Sequence, residues 1–451
     1  MGIFGAMTTA ISGINAQAYA LEHISDNIAN SQTTGFKRTE TVFADLVFDS
    51  QPQRQRGGSV QGLSRATNTV GGDIKPSDVA THMAINGDGY FIVEESSGTA
   101  DGKPLFANVS QYTRRGDFEL DRNGFLVNSS GYYLKGLAID PVTGNPAGGS
   151  PSIVTVTNDF LPAKITTTID YKANLASYPL TANSDPSVAD SEKLLAADFV
   201  IDPTTGGAGT VNGTETSTFI NRTIAGGAVT AFDAVGSPVN VQFRWGKISS
   251  DTWNLFYQTD PNATGATIAW QNIGTDYVFD TAGKLSPAIN TTTITALTVS
   301  GNNLGNITLD HGSNAITSFA DPNGVAKVNE LEQNGYASGE LAGVVVSEGG
   351  RIVGSYTNGE TLELYEVTLA SFNADSALKK LDGGAFGATR ESGSAILGAQ
   401  GSILASRLEG SNSDIASEFS KLIVTQQAYA AGTRIVTTAD QMIQEILNMK
   451  R

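Results

Sequence analysis

All 14 prolines of this 451-residue chain lie between Pro52 and Pro322. Glycine thins out at the same ends. Asn15–Thr34 contains none, and Ser411–Arg451 contains only Gly432. Proline costs a helix interior about 3 kcal/mol and glycine about 1 kcal/mol, so the two ends are free to form long helices and the middle is not. Apolar residues recur there with the 4-3 spacing of a coiled-coil seam. At the N-terminal end the seam reads Met7, Ile11, Ile14, Ala18, Leu21, Ser25, Ile28. At the C-terminal end it reads Ile415, Phe419, Leu422, Gln426, Tyr429, Thr433, Val436, Asp440, Ile443, Leu447. A helix over 412–450 would span about 60 Å, with Ser411 or Ser413 as its cap and Asp414 near the positive end of its dipole. Taken singly, each end also fits a surface helix on a globular core. Two narrow seams at opposite ends favour pairing with each other.

The middle reads as β structure. Asn86-Gly87-Asp88-Gly89 and Asp121-Arg122-Asn123-Gly124 are turn signals, with strands expected at Ile85–Val93 and Tyr112–Leu126. Further strands are expected at Ser152–Thr157, Lys164–Tyr171, Asn240–Arg244, Thr252–Tyr257 and within Leu341–Phe372, before a flexible glycine-rich connector at Gly383–Gly401. The expected architecture is a multidomain α+β chain, with paired N- and C-terminal coiled-coil helices around nested all-β domains. Residues 1–30 and 408–451 form the helical domain, 31–72 and 400–407 connectors, 73–162 and 329–399 an inner β domain, and 163–328 an inserted outer β domain.

Charge narrows the function. The net charge is −17 and only 16 % of residues are charged. No basic run exceeds a pair such as Arg114–Arg115 or Lys379–Lys380, which excludes a nucleic-acid coat. No stretch of about 18 apolar residues is present, so membrane insertion as a helix is not expected. The N-terminus lacks the basic start and apolar block of a cleaved signal peptide. Cysteine is absent, which removes disulfides and thiolate metal sites.

Reactive groups do not converge. His23, His82 and His311 fall in three regions, and His23 sits beside the helix seam rather than opposite a Ser or Cys nucleophile. No HxxxH or CxxC spacing occurs, so no catalytic residue, metal site or cofactor is expected. Asp121–Gly124 opens like a calcium loop but lacks the closing Glu, and Gly383–Gly387 lacks the Lys-Ser/Thr of a phosphate loop.

The stretch Ser25–Lys37 contains Asn27-Ile28-Ala29-Asn30 and then Thr34-Gly35-Phe36-Lys37. It resembles the N-terminal signature of the bacterial flagellar axial proteins, the family of rod, hook and hook-filament junction subunits. Leu408–Ile415, Thr425–Tyr429 and Thr437–Met442 resemble that family's C-terminal signature. Asp73–Val93 and Gln111–Leu137 are similar to its inner β domain. The long insert and Gly339–Leu369 are similar to the hook branch of the family. The resemblance implies a non-enzymatic structural protein of the flagellum, exported through the type III apparatus without a cleaved signal. Its terminal helices would be a polymerisation domain, stacking copies into a curved tube that acts as a universal joint. The implied partners are further copies of the chain and the distal rod, hook cap and hook-filament junction proteins; no cofactor is implied. A distal rod or junction subunit is the alternative within the family. From another class comes a secreted β-rich adhesin or carbohydrate-binding protein, in which Trp245, Trp253 and Trp270 would form an aromatic platform, although sandwich core is the favoured use of the three.

Overall fold

A computed structural model describes all residues except 1–2, 47–49, 52–53, 56–57, 142, 206–208, 314 and 450–451. Pro52, Lys450, Arg451 and parts of the 31–72 connector therefore lie outside the described residues. The chain is mostly β, with few helices. It divides into two compact units: residues 1–158, 341–355 and 361–451 in the first, and 159–340 and 356–360 in the second.

The first unit holds the two long helices, Ile3–Ala29 and Ile415–Met449. Both fall where proline is absent. They run antiparallel: Asn27 is level with Glu418, and Ile14 with Gly432. The C-terminal helix is capped by Asp414, whose Oδ1 accepts the Ala416 N–H at 3.1 Å. Ser411, one of the two expected caps, instead accepts the Ser413 N–H.

The connector expected at 31–72 contains a hairpin. Thr39–Leu46 pairs antiparallel with Ser59–Ala66, from Thr39 opposite Ala66 to Leu46 opposite Ser59. It lies along the N-terminal helix, where a Cβ on Gly62 would stand 3.1 Å from the Tyr19 ring. Neither strand is strongly apolar and twelve residues separate them in the sequence, so the usual hairpin signals are missing.

The sheet of the first unit is built around Tyr90–Ala100, which pairs with Tyr132–Ala138 on one side and Gln111–Thr113 on the other. Phe91, Val93, Phe118, Leu126, Leu134 and Ile352 fill its core. Phe118–Leu120 and Leu126–Asn128 form the hairpin expected around Asp121–Gly124. Asp121 Oδ1 accepts the N–H groups of Asn123 and Phe125, and Gly124 adopts φ of 83°. The Asn86–Gly89 turn does not make a hairpin. Met83–Asn86 instead pairs with Ser402–Ala405, which makes a strand of the expected 400–407 connector. The glycine-rich Gly383–Gly401 stretch is likewise structural: Ala385–Gly387 pairs with Gln111–Thr113 and buries Phe386.

The second unit stacks two sheets. One has the order Thr210–Asn212, Ile268–Val278, Thr252–Gln258, Pro238–Lys247, Ile224–Phe232. The other joins Thr291–Val299, Asn302–Asp310, Thr168–Asn174 and Ile316–Thr317. Alternate residues of Pro238–Lys247, namely Val239, Val241, Phe243 and Trp245, point into the core, as a strand's period of two requires. Trp245, Trp253 and Trp270 are all at most 2 % exposed, so no aromatic platform exists. Trp245 Nε1 donates to Tyr171 Oη at 2.7 Å. Lys327–Gln333 pairs with Thr168–Asn174, so the boundary expected at 328 cuts through a strand. The unit closes further on, where Leu161 and Gly339 exchange backbone hydrogen bonds of 2.8 and 3.1 Å.

Candidate functional site

The site is the junction at which segments from the two ends of the chain are fastened together. Its centre is Glu409, carried on Arg407–Glu409, which pairs with Ile74–Pro76. Lys37 Nζ donates to Glu409 Oε1 at 2.6 Å and to the Val70 carbonyl at 2.6 Å. The Gly72 N–H donates to the same Oε1 at 2.9 Å, and Arg114 Nη1 lies 3.5 Å from Oε2. Lys37, Arg114 and Glu409 are all buried. Burial lowers the Lys37 ammonium below the usual lysine value, while Glu409 opposes that shift.

Gly35 brings the backbone to this point. Its N–H donates to the Glu409 carbonyl at 2.8 Å with φ of 66°. A Cβ there would stand 2.8 Å from the backbone of Arg114 and Arg115, so only glycine fits.

Two amides complete the join. Asn27 Oδ1 accepts the Thr39 N–H at 2.9 Å, and its Nδ2 donates to the Thr39 carbonyl at 2.9 Å and to Glu418 Oε2 at 3.2 Å. Glu418 is buried and also accepts from Lys421 Nζ at 2.7 Å, with Arg38 3.8 Å away. Asn412 mirrors Asn27: its Oδ1 accepts the Arg38 N–H at 2.7 Å, and its Nδ2 donates to the carbonyls of Thr67 and Val70. Lys380 Nζ donates to the Lys37 carbonyl at 2.6 Å and lies 5.2 Å from the centre of the Phe36 ring. Asn30 closes the N-terminal helix, donating to Asp26 Oδ1 at 2.8 Å. Ala29 is exposed and Thr34 half-buried. The signature thus supplies Asn27, Gly35 and Lys37 directly. Of their partners, Glu409 and Asn412 lie in the C-terminal signature Leu408–Ile415 and Arg114 in the stretch Gln111–Leu137, whereas Glu418 and Lys380 lie in no motif singled out in the sequence.

Along the paired helices the contact line differs from the expected seam. Met7, Ile14, Leu21 and Ile28 are half-buried, but Ile11 and Ala18 are exposed; the deepest residues are Ala16, Ala20, Ile24 and Asn27. That line faces the hairpin as well as the other helix. On the C-terminal helix, Leu422, Val436 and Ile443 are half-buried, whereas Ile415, Phe419, Gln426, Tyr429, Asp440 and Leu447 are exposed. The inward positions are Glu418, Thr425, Gly432 and Ala439, each one heptad from the next. They are small or polar, which lets the helices approach closely. A Cβ on Gly432 would lie 2.8 Å from Ile14 Cγ1. An apolar pattern cannot find such a line.

His23 does face a serine, contrary to expectation. Its Nε2 is 3.3 Å from Ser64 Oγ, and its Nδ1 is 2.7 Å from Thr41 Oγ1. Tyr19 Oη also meets Ser64 Oγ, at 2.5 Å. The group behind the imidazole is a hydroxyl rather than a carboxylate, so this chain of side chains fastens the hairpin to the helix and does not build a charge-stabilised base.

Four family models match the chain in order: Flagella basal body rod protein at 7–37, Flagellar hook protein FlgE/F/G D1 domain at 84–170, Flagellar basal body protein FlaE D2 domain at 195–336, and Flagellar basal body rod FlgEFG protein C-terminal at 404–449. The first and last end and begin at the junction just described. Flagellar hook protein FlgE of Brucella suis is 30 % identical over 100 % of both chains. FlgE of Salmonella typhimurium is 28 % identical over 99 % of this chain and 100 % of its own length. The crystal structure of Helicobacter pylori flagellar hook protein FlgE2 shares the fold, with a TM-score of 0.50, 16 % identity, and coverage of 74 % of this chain and 100 % of that one. With full-length relatives at this identity, two signature segments locked to each other and the matched domains in order between them, the chain belongs to the flagellar hook protein family.

Proposed function

We propose that this structural subunit of the bacterial flagellar hook polymerises with copies of itself through its terminal helices, paired as a coiled coil, into a curved tube around which the β domains are nested. The observation that carries the reading is the character of the helix pair. Its inner line is small and polar, while Ile11, Ile415, Phe419, Ile423, Val424, Ile435, Met442, Ile446 and Leu447 are exposed on the outside. A single chain leaves this apolar surface in water, and copies stacked side by side would bury it. The seam residues Met7, Ile11, Ile14, Ala18, Leu21 and Ile28, with Ile415, Phe419, Leu422, Gln426, Tyr429, Val436, Asp440, Ile443 and Leu447, then divide between contact within a chain and contact between chains.

The chain carries no reaction of its own in this role. It leaves the cell through the type III apparatus without a cleaved signal, is placed beneath a hook cap, and meets the distal rod at one end and the hook-filament junction proteins at the other. As a universal joint the tube bends while it turns. Contacts of its weakly charged outer β unit are made and broken without a large desolvation cost, which suits that motion. Phe419→Asp tests the reading. Phe419 is 49 % exposed, so the folded monomer should be unchanged by circular dichroism and thermal unfolding, while electron microscopy should find no tubes. Normal tubes from this variant would overturn the proposal.

A further inference from the structure

Among the described residues of the first unit, the buried polar atoms without a hydrogen-bond partner include Tyr90 Oη, Arg114 Nε, Asn68 Oδ1 and Asp375 Oδ1. Tyr90 and Asn68 are each 1 % exposed and Arg114 is 3 % exposed. Unpaired groups this deep cost free energy comparable to a lost hydrogen bond, so native interiors pair them with protein or with ordered water. The residues that carry these atoms are linked in pairs. Asn68 Nδ2 donates to the Asp375 carbonyl at 2.8 Å, and the Arg114 guanidinium carbon lies 5.3 Å from the centre of the Tyr90 ring. Asp375 in turn acts electrostatically on both Tyr90 and Arg114.

The set is also chemically complementary. Tyr90 Oη–H and Arg114 Nε–H are donors that need lone pairs. Asn68 Oδ1 and Asp375 Oδ1 are acceptors that need hydrogens. A metal cation has no lone pair to offer the two donors, and a fully ionised anion has no hydrogen for the two acceptors. A molecule with two lone pairs and two hydrogens satisfies all four. We propose that a single internal water is bound here, accepting from Tyr90 and Arg114 and donating to Asn68 and Asp375. Burial and the nearby Asp88 raise the Asp375 carboxyl above the usual aspartate value, which a hydrogen bond donated to Oδ1 would counter. The water ties the turn after the hairpin, through Asn68, to the bend after Gln111–Thr113 that holds Arg114. Arg114 also faces Glu409, so the water sits directly behind the junction.

The direct test is the density in a crystal or electron cryo-microscopy structure of the full chain that resolves ordered solvent. One peak within hydrogen-bond distance of all four atoms is expected. A direct bond from Tyr90 Oη to Asp375 Oδ1, two separate waters, or a dry site would each overturn the proposal. Oxygen-17 relaxation dispersion of the folded full chain gives a second measurement. Tyr90→Phe removes one of the four hydrogen bonds and should shorten the residence of one long-lived water by about tenfold. An unchanged dispersion profile in folded Tyr90→Phe would count against the site.

Discussion

Lys37 Nζ and Glu409 Oε1 lie 2.6 Å apart in the interior although 372 positions separate them in the chain. Lys37→Met would leave Glu409 with the Gly72 N–H and the more distant Arg114. Removing one partner of a buried pair costs about 3–5 kcal/mol. The urea midpoint of the first unit should fall accordingly with little change in slope. Lys37→Met combined with Glu409→Gln should recover part of the loss, because no uncompensated carboxylate then remains. Equal losses in the single and the double variant would show that the pair does not act as a pair.

Gly432 should be intolerant of side chains for a reason specific to Ile14. A methyl group at 432 meets Ile14 Cγ1 at 2.8 Å, and overpacking of this kind costs about 1–3 kcal/mol. Gly432→Ala should therefore raise hydrogen exchange along both helices despite alanine's better helix propensity. Ile14→Ala removes the clashing atom, so the double variant should exchange more slowly than Gly432→Ala. Additive effects would show that the two residues are not in contact.

Acid should weaken the second unit through His311. Burial pushes this imidazole below its ordinary value of 6.5, against the opposing pull of the Tyr171 carbonyl and Asp310. Nδ1 is 2.9 Å from that carbonyl and Nε2 is 2.8 Å from Tyr277 Oη, an arrangement that suits the neutral ring. The unfolded chain takes up a proton near pH 6.5 and the folded chain does so only at lower pH. The contribution is thus fully present above 6.5 and is lost as pH falls from there toward the folded value. Thermal unfolding between about pH 7.5 and pH 5.5 should show the decline, and His311→Gln should flatten it.

Deleting residues 159–340 and bridging the gap with a short Gly/Ser linker should leave the first unit folded and able to polymerise. The exit and return of the chain are adjacent, since Leu161 and Gly339 bond to each other. Closing a short replacement loop costs little. Electron microscopy of tubes from this variant should show straighter forms, and tubes of unchanged curvature would show that the second unit does not set the shape.

Both helices were legible because proline is excluded and glycine is sparse where they run, and that signal needs no tertiary knowledge. The Asp121–Gly124 hairpin was legible because one aspartate organises it locally. The Thr39–Leu46 hairpin was not, since its strands alternate weakly and twelve residues separate them in the sequence. The inward line Glu418, Thr425, Gly432, Ala439 was hidden for a related reason: close helix packing there selects small and polar residues, whereas a seam search selects large apolar ones. The signature pointed to Asn27, Gly35 and Lys37, but Arg114 and Glu409 are brought to Lys37 only by the complete fold. The boundary near 328 failed because Lys327–Gln333 returns to pair with Thr168–Asn174, a pairing between the two ends of the unit that no local pattern records.

The Glu409 carboxylate also makes the junction a test of completeness. A chain cut short before residue 409 still presents Lys37 and Arg114 to the interior, but as two cations with no anion between them. Such a chain cannot close the clasp, and its N-terminal helix has no Glu418 or Gly432 to lie against. Only a chain that extends through Glu409 can satisfy the charges set out near its beginning.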